Sequence, residues 1–480
     1  MENNKRLGFI IYILVTIVSL LVLILQPRPG VSIPIFILLQ ALMVVLLLPN
    51  KMGALVYIPI FLLSLHYFIS ASYTWWFTNI LVILSLLSSM ILLITDNLKI
   101  KDSLFGFLKN TFVNIFRPFN NLVEPFKWKE KNNSDKKYIF KKVLLGVLIA
   151  IPFLILILLL LSQADMIFAK SIGVILKNIG TLISFNTYFK VLVSIILSLY
   201  LFGVIYLSYN INTVKNDKVI KEKIVKERDP LTLNIVMSLI LVVYTIFIVI
   251  QITYLFAKGS LPYGLSYAEY AREGFFQLLF LTGFNIGLII FNVWYNKNSN
   301  NKGAVFNKIS LYYLCTINIM LLISSFYRML LYSNDFGLTR LRLYVFGFLL
   351  FELIGLIITY FYIRKPKFNI VFIYTLFALS YYVILNIVPC DRIIAMNLVD
   401  RYEKDINFNI DYVMDLSLDA APFVEKLIND DKYDLKARDF FKYKLDFRVK
   451  SDKWQSYNIS VEEANKIWDK YKDKNFSVID

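Results

Sequence analysis

The sequence predicts an all-α fold, a polytopic transmembrane helical bundle of about 11 spans with a small helical extracytoplasmic C-terminal domain. Three observations predict it. Hydrophobic residues make up 58% of the 480 and charged residues only 18%, against roughly 45–50% and about 25% in soluble domains. Eleven apolar runs reach the roughly 17–25 residues that crossing the hydrocarbon core takes. Lys and Arg collect in alternate connections, which is how inserted helices record their orientation.

In order, the runs cover about 8–26, 31–48, 52–70, 75–95, 142–162, 187–209, 231–257, 274–295, 309–331, 342–363 and 369–388. The first reads as a span and not as a cleavable signal peptide. Its apolar stretch is too long, and Gln26-Pro27-Arg28-Pro29 is no small-residue cleavage site. With the N-terminus inside, the inner connections hold 26 Lys and Arg and the outer loops 7. Span count and orientation therefore support each other. An odd count places residues 389–480 outside. That tail carries 16 Lys and Arg against 19 Asp and Glu, although the whole chain is +17.

Four regions follow: a four-span segment at 1–95, a basic cytoplasmic loop at 96–141, a seven-span core at 142–388 and an extracytoplasmic helical domain at 389–480. Within 103–126, Phe105, Leu108, Phe112, Ile115 and Phe116 fall near a 3.6-residue period beside basic residues. This predicts a helix lying in the inner interface, either a connector or a site for anionic lipid. Residues 165–183 look similar on the outer side and read as re-entrant. In the tail, Ser460-Val461-Glu462-Glu463 is a capping box, and Ala464, Ile467, Trp468 and Tyr471 form an apolar stripe behind it. Ser417 and Asp419 offer another helix start, with Pro422 in a first turn. Phe440, Phe441, Leu445 and Phe447 are available to pack such helices together.

Composition narrows the chemistry. Only Cys315 and Cys390 are present, and His66 is the sole histidine. A thiolate metal site, a His-rich site and a disulfide framework are not expected. No phosphate-cradling glycine loop appears, and Gly259 and Gly264 around Pro262 read as a turn. His66, at the outer end of the third span, reads as a packed interfacial side chain. No cofactor and no nucleic-acid partner is expected; membrane lipids and an envelope protein are.

Ionisable groups at membrane depth are costly and are candidates by default. Glu352 lies near the middle of the tenth span and must be protonated, paired or facing water. Arg328 lies in the ninth span, roughly 10 Å away in depth at about 1.5 Å per residue. The two read either as a proton, ion or anion site or as a buried structural pair. The outer face adds Asp165, Glu269, Arg272, Arg342 and Asp391, with Asp335, Arg340 and Arg392 nearby. These charges either bind a lipid head group, hold an acid and base, or lock loops to the tail. Asn397 and Arg401 complete the candidate cluster from within the tail.

Several stretches resemble a bacterial multi-pass membrane family of unknown function, DUF4173, related to DUF4153. Ala164-Asp165 and Phe168-Ala169 look like its "SADPVFA" stretch, with Gln163 and Met166 departing from it. Leu265 to Leu278, with Tyr267-Ala268-Glu269-Tyr270-Ala271-Arg272, is the most specific. Arg328-Met329, Phe336-Gly337-Leu338-Thr339 and Arg342 form a third. Asp391, Asn397, Arg401-Tyr402, Asp411-Tyr412 and Leu416-Ser417 with Asp419 form a fourth. Trp454 to Ser460 resembles a "DWRSWNLS" ending. The resemblance implies a bacterial cell membrane and brings no catalytic residue. Under the topology above all five stretches fall on the outer face or in the tail. Three readings stand: a non-enzymatic membrane or envelope component whose outer surface binds a partner or lipid, a transporter of a small or lipid-linked substrate, and an outer-face enzyme acting on a lipid-linked substrate with Glu269 and Asp391 as its carboxylates.

Overall fold

A computed structural model describes residues 3–26, 28–94, 112–122, 124, 185–211, 231–251, 275–296, 302–366, 369–404, 406, 409–446 and 453–472. The described residues are helical or lie in turns and connections, and no strand occurs among them. Ten apolar helices match ten of the predicted runs. They are α1 (Asn3–Ser19, continued by a π turn at Leu20–Ile24), α2 (Ser32–Leu47), α3 (Tyr57–Ile69, preceded by a 3-10 turn at Lys51–Val56), α4 (Trp76–Ile94), α5 (Phe185–Ile211), α6 (Leu231–Gln251), α7 (Phe275–Tyr295), α8 (Lys302–Phe336), α9 (Arg340–Arg364) and α10 (Ile370–Ile387). Eight of these segments are long and apolar enough to cross a membrane, and α2 and α4 are shorter apolar helices. The chain is an integral membrane protein on that ground. The predicted span at 142–162 and the segment at 165–183 lie outside the described residues, as does most of the 96–141 loop.

α8 runs for 35 residues. At about 1.5 Å per residue it is roughly 50 Å long, well beyond the hydrocarbon core of about 30 Å. Its ends therefore project from the apolar layer, which explains why the predicted run, 309–331, is shorter at both ends.

The chain divides into two compact units. The first takes Met1–Ile69, Thr74–Asn216 and Ser451–Asn458; the second takes Ser70–Tyr73, Asp217–Lys450 and Ile459–Asp480.

In the first unit, Phe9 of α1 meets Phe202, Tyr206 and Tyr209 of α5 edge-on, with ring centroids 5.6, 5.9 and 5.5 Å away. Lipid tails give helices no hydrophobic reason to associate, so packing and interhelical hydrogen bonds must do it. Tyr12 donates to Gln40 Oε1 at 2.6 Å, and Gln40 donates to Thr16 at 3.3 Å, tying α1 to α2. His66 is buried and edge-on to Tyr67. Part of the predicted interfacial segment is described: 112–116 is helical and Arg117–Asn121 is a 3-10 turn. Tyr200 of α5 donates to the Ile115 carbonyl at 3.2 Å, and the Phe119 ring lies 5.2 Å from that of Tyr200, tilted against it by 50°. The segment is thus packed against a span on this side. Residues of the tail join this unit as well: Gly30 and Val31 donate to the carbonyls of Gln455 and Tyr457 at 2.8 and 2.9 Å.

In the second unit, α6, α7, α8 and α9 share one apolar core that includes Ile289, Leu314 and Leu321. The tail adds α11 (Cys390–Tyr402), α12 (Ile410–Asp415), α13 (Ala421–Val424), α14 (Asp434–Asp446) and α15 (Ile459–Asp469). Their own core holds Ile394, Leu398, Val413, Phe440, Phe441, Ala464 and Ile467. Each such large side chain contributes about 1.5–3 kcal/mol when it leaves water. Phe441 stacks on Trp468 at 5.9 Å. Helix α15 begins at Ile459, one residue before the predicted capping-box serine; helix ends commonly shift by that much. Ser417 accepts from the Asp419 N–H and opens a 3-10 turn, Leu418–Ala420, and Pro422 sits in the first turn of α13.

Candidate functional site

The hairpin between α8 and α9 is where the tail meets the long apolar helices. α8 stops because Gly337 takes the left-handed conformation, φ +74°, with its N–H donating to the Ser333 carbonyl at 2.9 Å. α9 starts because the Thr339 side chain accepts from the Arg342 N–H. The three-residue turn leaves helix-end carbonyls and amides that need partners.

α11 supplies them along one face. Asp391, Ile394, Ala395, Leu398 and Arg401 are buried at spacings of three and four. Arg401, in the last turn, donates to the carbonyls of Asn334 and Asp335 at 2.5 and 2.8 Å. A guanidinium there meets the negative end of α8. Asn397 accepts from the Leu338 N–H at 2.9 Å. At the other end of α11, Asp391 accepts from Arg340 Nε and Nη2 at 2.6 and 2.7 Å and from the Ser417 N–H at 2.8 Å. Arg342 donates to the Gly337 carbonyl and lies 4.1 Å over the Tyr332 ring. A Cβ at Gly337 would come within 2.7 Å of Leu398 Cδ2.

Electrostatics follows the geometry. Burial acts to raise the Asp391 carboxyl, but the Arg340 guanidinium and the Ser417 amide outweigh it and hold it below the usual carboxylate range. Next to it, burial and then the charges of Asp391 and Asp419 push the Cys390 thiol up to about 11, so it is an unreactive neutral thiol at neutral pH. Asp419, also buried, accepts from Ser70 Oγ and the Ala71 N–H at 2.5 and 2.6 Å. Two further ion pairs, Arg392–Glu463 and Lys470–Glu425, are more exposed and hold α15 at its rim.

Of the nine candidates read from the sequence, four converge on this hairpin: Arg342, Asp391, Asn397 and Arg401. Arg328 and Glu352 lie elsewhere in the bundle and do not bond to each other. Arg328 Nη2 donates to Gln251 at 3.2 Å, and Glu352 Oε2 lies 2.6 Å from Thr282 Oγ1. Asp165, Glu269 and Arg272 lie outside the described residues. Sequence reasoning named Arg340 among the outer-face charges but not its pairing with Asp391 across 51 positions, and it missed the link from Asp419 to Ser70 and Ala71, which spans about 350. The pointers were the expectation that outer-face charges lock loops to the tail and the place of Asp391 and Asp419 in the fourth stretch. No group of three or more His, Cys, Asp or Glu fit to hold a metal ion occurs among the described residues.

No curated protein and no solved structure matches the chain. A family model described as "Domain of unknown function (DUF4153)" matches residues 57–427. The match takes in the hairpin, α11 and the Asp419 turn, and it covers well over half of the sequence; the chain belongs to the DUF4153 family.

Proposed function

We propose that this membrane protein is a non-enzymatic component of a bacterial cell membrane. Its N-terminus is cytoplasmic, and its tail helices form an extracytoplasmic surface that binds an envelope partner or a lipid head group. The observation that carries this reading is the state of Asp391. Both of its oxygens are engaged by Arg340, and one also takes the Ser417 amide. A carboxylate so held is a fastener, with little capacity to serve as a general base. The same holds for Arg401 and Asn397, whose polar atoms close helix ends. Asp391 is therefore poorly placed for the outer-face enzyme reading. What the tail offers to a partner is α14, where Leu435 and Tyr443 are 65% and 70% exposed while Phe440 and Phe441 face the core.

The test is a photo-crosslinking residue at position 435 or 443 in intact cells. A discrete protein or lipid adduct is expected, and it should vanish when Asp391→Ala loosens the tail. Absence of any adduct at both positions contradicts the reading. The transporter reading draws support from one specific observation, the buried Glu352 in α9.

A further inference from the structure

Within the second unit, a small polar cluster lies at a depth where apolar side chains would be expected. Tyr244 of α6 donates to Asn285 Oδ1 at 2.9 Å, and Asn285 of α7 donates to Asn318 Oδ1 of α8 at 2.9 Å. One turn along α7, Thr282 meets Glu352 of α9. Asn285, Asn318 and Thr282 are fully buried, and Glu352 is 3% exposed. Two polar atoms in the cluster have no hydrogen-bond partner, Glu352 Oε1 and Asn318 Nδ2.

Counting protons at Thr282 bears on the state of the carboxyl. Thr282 Oγ1 lies 2.8 Å from the Leu279 carbonyl oxygen and 2.6 Å from Glu352 Oε2. A hydroxyl has one proton to give. The carbonyl has none, so the hydroxyl's proton belongs to that bond. The shorter contact then needs a proton on Glu352. Charge balance agrees. Among the described residues Glu352 makes no ion pair, and an unpaired buried carboxylate is costly. Around it, α7 carries no charged side chain among the described residues. α8 carries Arg328, bonded to Gln251, and α10 carries the hydroxyls of Tyr374 and Tyr381, of which Tyr374 is bonded to the Gly355 carbonyl. α11 carries Asp391, which is paired with Arg340. None of these supplies a counter-charge to Glu352.

We propose that Glu352 is a proton-binding site of the bundle. Its Oε2 carries a proton that is donated to Thr282, and its free Oε1 faces α7 at Gly283, where an added Cβ would lie only 3.3 Å away. The carboxyl takes up and releases this proton to water as the bundle fluctuates, which gives the second unit a proton-dependent step. The proposal goes beyond the tail reading and does not rest on it. A cation would need several oxygen ligands, whereas the proton needs only the two oxygens present.

Infrared difference spectra of the full chain in lipid vesicles, recorded between acidic and alkaline buffer, test it. A protonated-carboxyl carbonyl band is expected that converts to carboxylate as pH rises, shifts in heavy water and is missing in Glu352→Gln. If Glu352→Gln does not fold, Glu352→Asp serves instead and should displace the band. A band that neither titrates nor exchanges overturns the proposal in favour of a fixed structural acid. Absence of the band, or its suppression by sodium or potassium salts, overturns it in favour of a cation-paired carboxylate.

Discussion

Arg340, the first residue of α9, holds Asp391, in the first turn of α11, through two parallel N–H···O bonds of 2.6 and 2.7 Å. The pair joins one of the long apolar helices to the tail. A cation at a helix N-terminus is unfavourable by itself, and an anion there is favourable. Asp391 offsets the first at α9 and provides the second at α11. The fork geometry also fixes the angle between the two helices.

Removing the carboxylate should therefore loosen the tail. Asp391 is buried and Arg340 about one-third exposed, so the cost lies between that of an exposed and of a buried pair, about 2–3 kcal/mol for Asp391→Ala. Thermal unfolding in detergent, followed by protease sensitivity of the tail, measures it. Arg340→Lys should recover only part of the loss, because an ammonium cannot form the fork.

Acid should act through the same group. The folded-state pKa of Asp391 is lowered, so its contribution is fully present above the ordinary carboxylate range. That contribution is lost as pH falls through the ordinary value and on toward the lower folded one. Limited proteolysis of the tail across acidic pH should show release at low pH in the native chain. In Asp391→Asn the acid-dependent part should shrink.

Gly337→Ala should destabilise the hairpin by about 1–3 kcal/mol, because φ is +74° and the new methyl meets Leu398. Circular dichroism melting checks this. Gly337→Asn, which tolerates the left-handed region better, should still suffer from the contact with Leu398.

In the tail core, Phe441→Ala should cost about 3–5 kcal/mol. Phe441 is fully buried and stacked on Trp468, so tryptophan fluorescence should report the loss directly.

The spans were legible because roughly 20 apolar residues suffice to mark one. Hydropathy registers only the part of a helix that lipid contacts, which is why Lys302 to Lys308 and the last turn of α8 escape it. α11 has no such signature: its charged residues alternate with apolar ones, and its buried face includes an aspartate and an arginine. Arg340 and Arg342 are indistinguishable in the sequence, two basic residues in one first turn. Only packing decides that one pairs with Asp391 while the other covers Tyr332. Glu352 was visible as a carboxyl in an apolar run, but its partner on α7 was not, since Thr282 looks like any hydroxyl in a span.

An extracytoplasmic binding surface depends above all on the side of the membrane that the tail occupies. A single cysteine at position 439, exposed on α14, in a chain with Cys315 and Cys390 replaced by alanine, can be treated in intact cells with a membrane-impermeant maleimide. Labelling before permeabilisation is the predicted result. Labelling only after permeabilisation would place α14 in the cytoplasm and contradict an extracytoplasmic binding surface.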